Sequence, residues 1–200
     1  MDFWEVLEGR RSVRQFEDRP VERALIERII EAGTRAPNAH NKQSWRFVVV
    51  TEKEDLTRMV MAMQPKYKQA LLNSGVDPDE VELLAEKRKL RLTSAPAVIL
   101  PCVALNDLSV YDDEDRTHGD WMMAVQSAAL AAGQILLAAH ALGLSGVWIC
   151  APMFAPEVVQ AAFDLPEDWV AQGMLMIGYA AESPDLRERK PLAEVVRWVS

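Results

Sequence analysis

Three arginines fall within five residues near the start of the chain, in Arg10-Arg11-Ser12-Val13-Arg14. Arginine presents a planar fork of donors that matches a phosphate, and the Ser12 hydroxyl with nearby backbone N–H groups could complete a cradle. The whole chain carries a formal net charge of −8. A compact basic cluster on such a chain suits one small anionic group better than a nucleic-acid groove. The competing reading is a solvated basic turn whose arginines pair with Glu5, Glu8, Glu17 and Asp18. A second polar segment, Ala36-Pro37-Asn38-Ala39-His40-Asn41-Lys42-Gln43-Ser44, leads into the apolar run that starts at Trp45. Loops at strand ends often host sites. The amides of Asn38, Asn41 and Gln43 could meet the edge of a heterocycle, or simply satisfy the backbone of their own loop.

Other chemistries lack their signatures. The chain has no Gly-x-Gly-x-x-Gly, no phosphate loop ending in Gly-Lys-Ser/Thr and no Gly-x-Ser-x-Gly. Its two cysteines, Cys102 and Cys150, sit in apolar runs and read as reduced core thiols. With three scattered histidines they form no metal-ligand spacing. The acidic balance argues against nucleic-acid or anionic-membrane partners. No window reads as an uninterrupted bilayer span, and residues 1–5 lack the basic start of a signal peptide. The expectation is a cytoplasmic protein.

The elements that must position these residues follow from periodicity. Residues 3–7 form a short amphipathic stretch expected to bury Phe3, Val6 and Leu7. Residues 21–35 place Leu25, Ile26, Ile29, Ile30 and Ala32 at helical spacing, and Pro37 stops that helix. Residues 45–51 and 97–105 read as buried strands. Residues 55–73 and 77–93 read as two helices broken at Ser74-Gly75, the second charged and solvated. An acidic loop, 106–116, precedes the longest helix, 118–142, whose many small residues permit close packing and suit either a subunit contact or an ordinary buried helix. Gly143 ends it. A strand at 146–150, a helix at 156–163 and a strand at 173–180 follow. The polar tail 181–191 leads to 192–199, whose apolar residues need a surface to cover. With no repeats or linker, this reads as one α+β domain over residues 1–200, a central sheet flanked by helices.

Taken together, these segments resemble the nitroreductase family of FMN enzymes. The resemblance is carried by Arg10-Arg11-Ser12-Val13-Arg14, by the later Ala-Pro-x-x-x-Asn-x-Gln-x-Trp-x-Phe of residues 36–47, by Ala141-Leu142-Gly143-Leu144-Ser145-Gly146-Val147-Trp148-Ile149, and by Met176-Ile177-Gly178-Tyr179-Ala180 with a tail arginine. It implies a nitroreductase-like α+β fold with a central mixed sheet, built as an intertwined homodimer with its sites at the interface. It assigns Arg10, Arg11, Ser12, Arg14 and Arg187, with Arg189 as a further candidate, to the FMN phosphate and ribityl chain. It places Pro37, Asn38, Ala39 and Asn41 against the isoalloxazine from the other subunit, and Trp148, Ile149, Cys150 and Ala151 beside the ring. The order of the remaining segments is similar to the flavin domain of FbiB-type proteins of coenzyme F-420 biosynthesis. That implies reduction of the dehydro precursor of F-420, with the missing γ-glutamyl ligase supplied by a separate protein. Asn38 and Ser44 depart from the Ser and Pro of many family members, and the change at position 38, where the resemblance places substrate or flavin contacts, bears on specificity.

Under this reading the chemistry runs on the flavin N5 and no side chain is a required catalyst. The substrate-contact candidates are Asn38, His40, Lys66 and Lys68. His40 could donate a proton or be an ordinary loop residue; the two lysines could attract an anionic substrate or face solvent. NAD(P)H is a candidate electron donor and F-420 a candidate ligand. The alternatives are a general NAD(P)H-dependent nitro- or quinone reductase, and a flavin- or deazaflavin-binding protein without turnover.

Overall fold

The structure, a computed structural model, describes residues 2–199. Its centre is a five-stranded sheet in the order β1-β2-β5-β3, with β4 also pairing β2. The strands are β1 (Trp45–Val50), β2 (Ala97–Ala104), β3 (Ser145–Ile149), β4 (Trp169–Ala171) and β5 (Met174–Gly178). All pairings between these strands are antiparallel. The parallel component is a bridge from Ser12 to Gly146, which lays the arginine segment along the open edge of β3.

Both faces of the sheet are covered. In β2, Val98, Leu100 and Cys102 face one apolar cluster, whereas Ala97 and Ile99 face another. In β5, Met174 and Met176 join the first, and Leu175 and Ile177 the second. This period-two alternation between two buried faces explains why the strands read as unbroken apolar runs. The first cluster packs under α3 (Lys53–Asn73) and α6 (Pro156–Phe163); the second packs under α2 (Arg23–Thr34) and α5 (Glu114–Ala141). The helix α4 (Pro78–Leu92) lies against α3 and buries Val81, Ala85 and Leu92.

Pro101 stands inside a central strand, a position proline usually avoids. Its carbonyl accepts from Gln172 N–H, so its nitrogen faces the same side, where β4 gives way to β5. The missing donor therefore falls at a break in the ladder.

Four expectations are corrected. The first helix, α1 (Phe3–Gly9), starts with a capping box from Asp2 and Glu5 but buries Val6 alone; Phe3 and Leu7 are exposed, because so short a helix presents a single line of contact to α5. β1 is an edge strand, not a fully buried one: it pairs with β2 only, and Val49 is exposed. β4 is a strand of three residues that the sequence pattern did not reveal. Finally, α5 is long and apolar enough to cross a membrane by length and composition. Its place in the fold explains that composition. Ala124, Ala128, Ala131, Ala132, Ile135 and Ala139 are all buried against the chain's own sheet and α2.

The buried small residues of α5 thus serve close packing within the chain, whereas Ala129 and Leu130 are exposed. Gly33 of α2 approaches so closely that a Cβ there would lie 2.6 Å from Ile135. Gly146 is tighter in consequence. A Cβ at this position would lie 2.8 Å from the Met176 carbonyl oxygen, a backbone atom of the paired strand, and 2.9 Å from Leu136. Gly146→Ala is expected to destabilise the protein by about 1–3 kcal/mol, the range for overpacking a filled core. Urea unfolding checks it; an unchanged midpoint would show that the sheet edge can yield.

Candidate flavin site

After β5 the chain turns back along the residues that follow the arginine segment. Glu17 N–H donates to the Tyr179 carbonyl, Phe16 bridges Ala180, and Ala181 N–H donates to the Gln15 carbonyl. The Glu182 carboxylate then accepts from the backbone N–H groups of Arg14 and Gln15, at 2.6 and 3.2 Å. This strip carries the polar tail to the N-terminal cluster. The result is a cleft of about 660 Å³ lined by Arg10, Arg11, Ser12, Arg14, Arg187 and Arg189, with Asp185 its one acid.

The acids proposed as partners for these arginines do not take that role. Among the described residues, none of Arg10, Arg11, Arg14, Arg187 and Arg189 forms an ion pair; Arg11, Arg14 and Arg189 donate only to backbone carbonyls. Glu5 instead caps α1. Burial, with repulsion from Arg189 and Arg11, lowers the Arg10 pKa, though a guanidinium this basic stays charged. His140 is held toward its neutral form by burial and by Arg10 and Arg11. The cleft is therefore a concentration of five arginines against a single acid, Asp185, with which none of them forms an ion pair, a fit for a dianionic phosphate.

The loop at residues 38–43 is built differently. His40, Asn41 and Gln43 all have positive φ, near 50°, a conformation that costs non-glycine residues of order 1 kcal/mol each. Several contacts hold it. The Asn38 side-chain oxygen accepts from Gln43 N–H at 2.9 Å, and Ala39 N–H donates to Ser127 Oγ at 3.2 Å. Arg46 donates to the Gln43 carbonyl while pairing with Asp107 at 2.7 Å. The strongest tie is Lys42, whose Nζ reaches both oxygens of Asp120, at 2.7 and 2.8 Å, and Ser109 Oγ at 2.8 Å. Asp120 is 2% exposed. Sequence reasoning missed this pair. The available signal was Asp120 as the last acid before the long uncharged stretch of α5. In part, then, Asn38 does serve its own loop, while the loop as a whole is locked.

The remaining candidates lie elsewhere. Pro37, Asn38, Ala39, His40 and Asn41 do not line the arginine cleft. Trp148 and Ile149 end β3, half-buried, and Ala151 opens the 3-10 turn that follows. Cys150 is exposed, which corrects its reading as a core thiol: it sits just past the strand, where the chain turns out of the sheet. Cys102 is buried in β2, and that burial pushes its thiol up to about 12. Lys66 and Lys68 are on α3 and each holds a carboxylate, Glu157 and Glu82 respectively.

The chain is similar to known proteins over most of its length. The sequence pattern of the nitroreductase family matches residues 7–179. An NADH dehydrogenase of Thermus thermophilus is 31% identical over 216 residues, covering 94% of this chain and 92% of that protein. A 5,6-dimethylbenzimidazole synthase of Rhodospirillum rubrum is 28% identical over 205 residues, covering 98% and 88%. The crystal structure of a BluB-like flavoprotein from Clostridium difficile superposes with a TM-score of 0.82 over 100% of both chains, at 22% identity.

Proposed function

Because the chain belongs to the nitroreductase family of flavin-dependent oxidoreductases, we propose that it holds FMN with the phosphate in the arginine cleft and passes hydride from NAD(P)H to a small planar acceptor. The observation that carries this reading is the meeting in one cleft of five arginines from opposite ends of the chain, none of them in an ion pair among the described residues. Arg10, Arg11, Ser12, Arg14, Arg187 and Arg189 hold the phosphate and ribityl end. The backbone from Trp148 to Ala151 flanks the ring. Bound FMN supplies the two-electron chemistry, and the protein supplies orientation and electrostatics. The nicotinamide donor is supported by the NADH dehydrogenase relative.

The functional unit is a homodimer in this reading, each copy a single domain. Two features support it. The locked loop at 38–43 is separate from the cleft of its own chain, and Leu192, Val195, Val196 and Trp198 of the tail lie exposed. A second copy would bring the partner's loop to the ring and cover the tail. A cytoplasmic setting follows from the same reading.

The narrower reading is that the acceptor is the dehydro precursor of coenzyme F-420, with a separate γ-glutamyl ligase as partner, or that F-420 itself is bound. Its support is the segment order outside the flavin motifs. The names of the relatives above point instead to NADH oxidation and dimethylbenzimidazole synthesis. The general reductase therefore stands first.

An absorbance spectrum of the protein with added FMN, followed by anaerobic NADH or NADPH, tests both. Stoichiometric flavin bands that bleach with a nicotinamide are expected. Bands that persist under both donors would remove the reductase reading, and a protein that takes up no flavin would remove the site. Saturable F-420 binding would carry the narrower assignment.

A further inference from the structure

A second cavity, about 500 Å³, lies between the later half of α3, Arg88 of α4 and the turn after β3. Its lining is mostly apolar, with Met63, Ala70, Phe154, Ala155 and, at the end nearest β3, Ala151. This size and character are those of a small-molecule site. Two cations line it, and they differ. Lys66 is neutralised by Glu157. Arg88 has no carboxylate partner among the described residues. Its guanidinium carbon lies 4.1 Å from the centre of the Tyr67 ring, and its Nη1 is buried without a hydrogen-bond acceptor. A buried, charged donor left unpaired is costly, and such an exception calls for an explanation. Stacking on Tyr67 fixes the guanidinium plane but supplies no acceptor.

We infer that this cavity is the acceptor's subsite and takes a flat, largely apolar molecule with one anionic group, the anion held by Arg88 and the apolar body lying toward Ala151. The inference rests on the reading of Ala151 as a residue beside the flavin ring. It assigns specificity to Arg88 and leaves Lys66 as a structural partner of Glu157.

Calorimetric titration of the FMN-loaded, oxidised protein with 4-nitrobenzoate and with nitrobenzene tests it, with no reductant present. The unaltered protein is expected to bind the acid about 10-fold or more tightly than the neutral compound, the scale of a charged hydrogen bond. Arg88→Met keeps the aliphatic contact with Tyr67 and is expected to lose that preference, with nitrobenzene affinity changed less than about 2-fold. Ala70→Trp, at an exposed position on the rim, is expected to abolish binding of both probes. Equal affinity for the two probes in the unaltered protein, or 4-nitrobenzoate binding that survives Arg88→Met, would overturn the assignment; should that variant not fold, undiminished binding in Ala70→Trp would do so. Flavin absorbance recorded on the same samples separates the two levels. Absent flavin bands count against the proposed function, whereas intact bands with Arg88-independent binding count against this cavity alone.

Discussion

Replacing Arg10 and Arg14 together with alanine is expected to leave a folded protein that no longer retains FMN. Each arginine contributes charge-assisted hydrogen bonds to a phosphate, worth about 1.5–3 kcal/mol apiece. Losing both weakens binding by about 10²–10⁴-fold. The fold should survive because neither side chain forms an ion pair among the described residues, and Arg10 repels Arg189 and Arg11 where it sits. Removing that repulsion leaves the unliganded protein no less stable. Flavin absorbance after gel filtration, with thermal unfolding of the FMN-free forms, provides the measurement. A variant that kept stoichiometric flavin would show that the phosphate lies elsewhere. A variant that lost both flavin and fold would show that the cluster is structural.

The second large effect is expected at Asp120. Asp120→Ala removes the counter-ion of Lys42, whose side chain is 20% exposed, and strands a mostly buried ammonium. Breaking a buried pair from one side costs about 3–5 kcal/mol, and the residual exposure of Lys42 places this case near the lower end. The same change frees the loop at 38–43, whose three positive-φ residues are held by that tie. The effect depends on pH with a definite sign. Burial alone would raise the Asp120 pKa. Hydrogen bonds from Lys42 and Ser109 N–H, with the charges of Lys42 and His40, outweigh it and leave the carboxyl below its ordinary value. A depressed folded pKa contributes stability above the unfolded pKa and loses it as pH falls through the folded one. The gap between the native protein and Asp120→Ala should thus be full at neutral pH and narrow in acid. Urea unfolding at both conditions measures it, and a gap that does not change with pH would rule out the ion pair as its source. Lys42→Met with Asp120→Leu should recover part of the loss, because an apolar pair leaves no stranded charge.

Both predictions concern residues whose legibility in the sequence differed. The arginine cluster stood out by composition alone, as a local excess of one donor type on an acidic chain. Periodicity supplied most helices and the central strands, because a residue buried on both faces of a sheet or on one face of a helix must be apolar at fixed intervals. The helix at Pro156–Phe163 was bounded by its own proline and by Asp164 in the left-handed region. These are local constraints, written within a few residues of where they act.

Long-range constraints were not written that way. Nothing near Arg187 or Arg189 says that the tail folds back along residues 14–17; Glu182 does so by accepting from backbone groups far away in sequence. Lys42 and Asp120 are unremarkable until the fold places them 2.7 Å apart and buries the carboxylate. Arg88 reads as one of several charges on a solvated helix, and only packing against Tyr67 leaves one of its nitrogens buried and unpaired. Cys150 looked like core because its neighbours are apolar, yet the chain leaves the sheet one residue earlier. The sequence by itself determined the class of elements, the local excess of arginine on an acidic chain and the family resemblance, since each depends on residue type and short spacing. The tertiary structure alone decided which charges are paired and which lack a partner among the described residues, because pairing and desolvation depend on distances between residues that the chain keeps far apart.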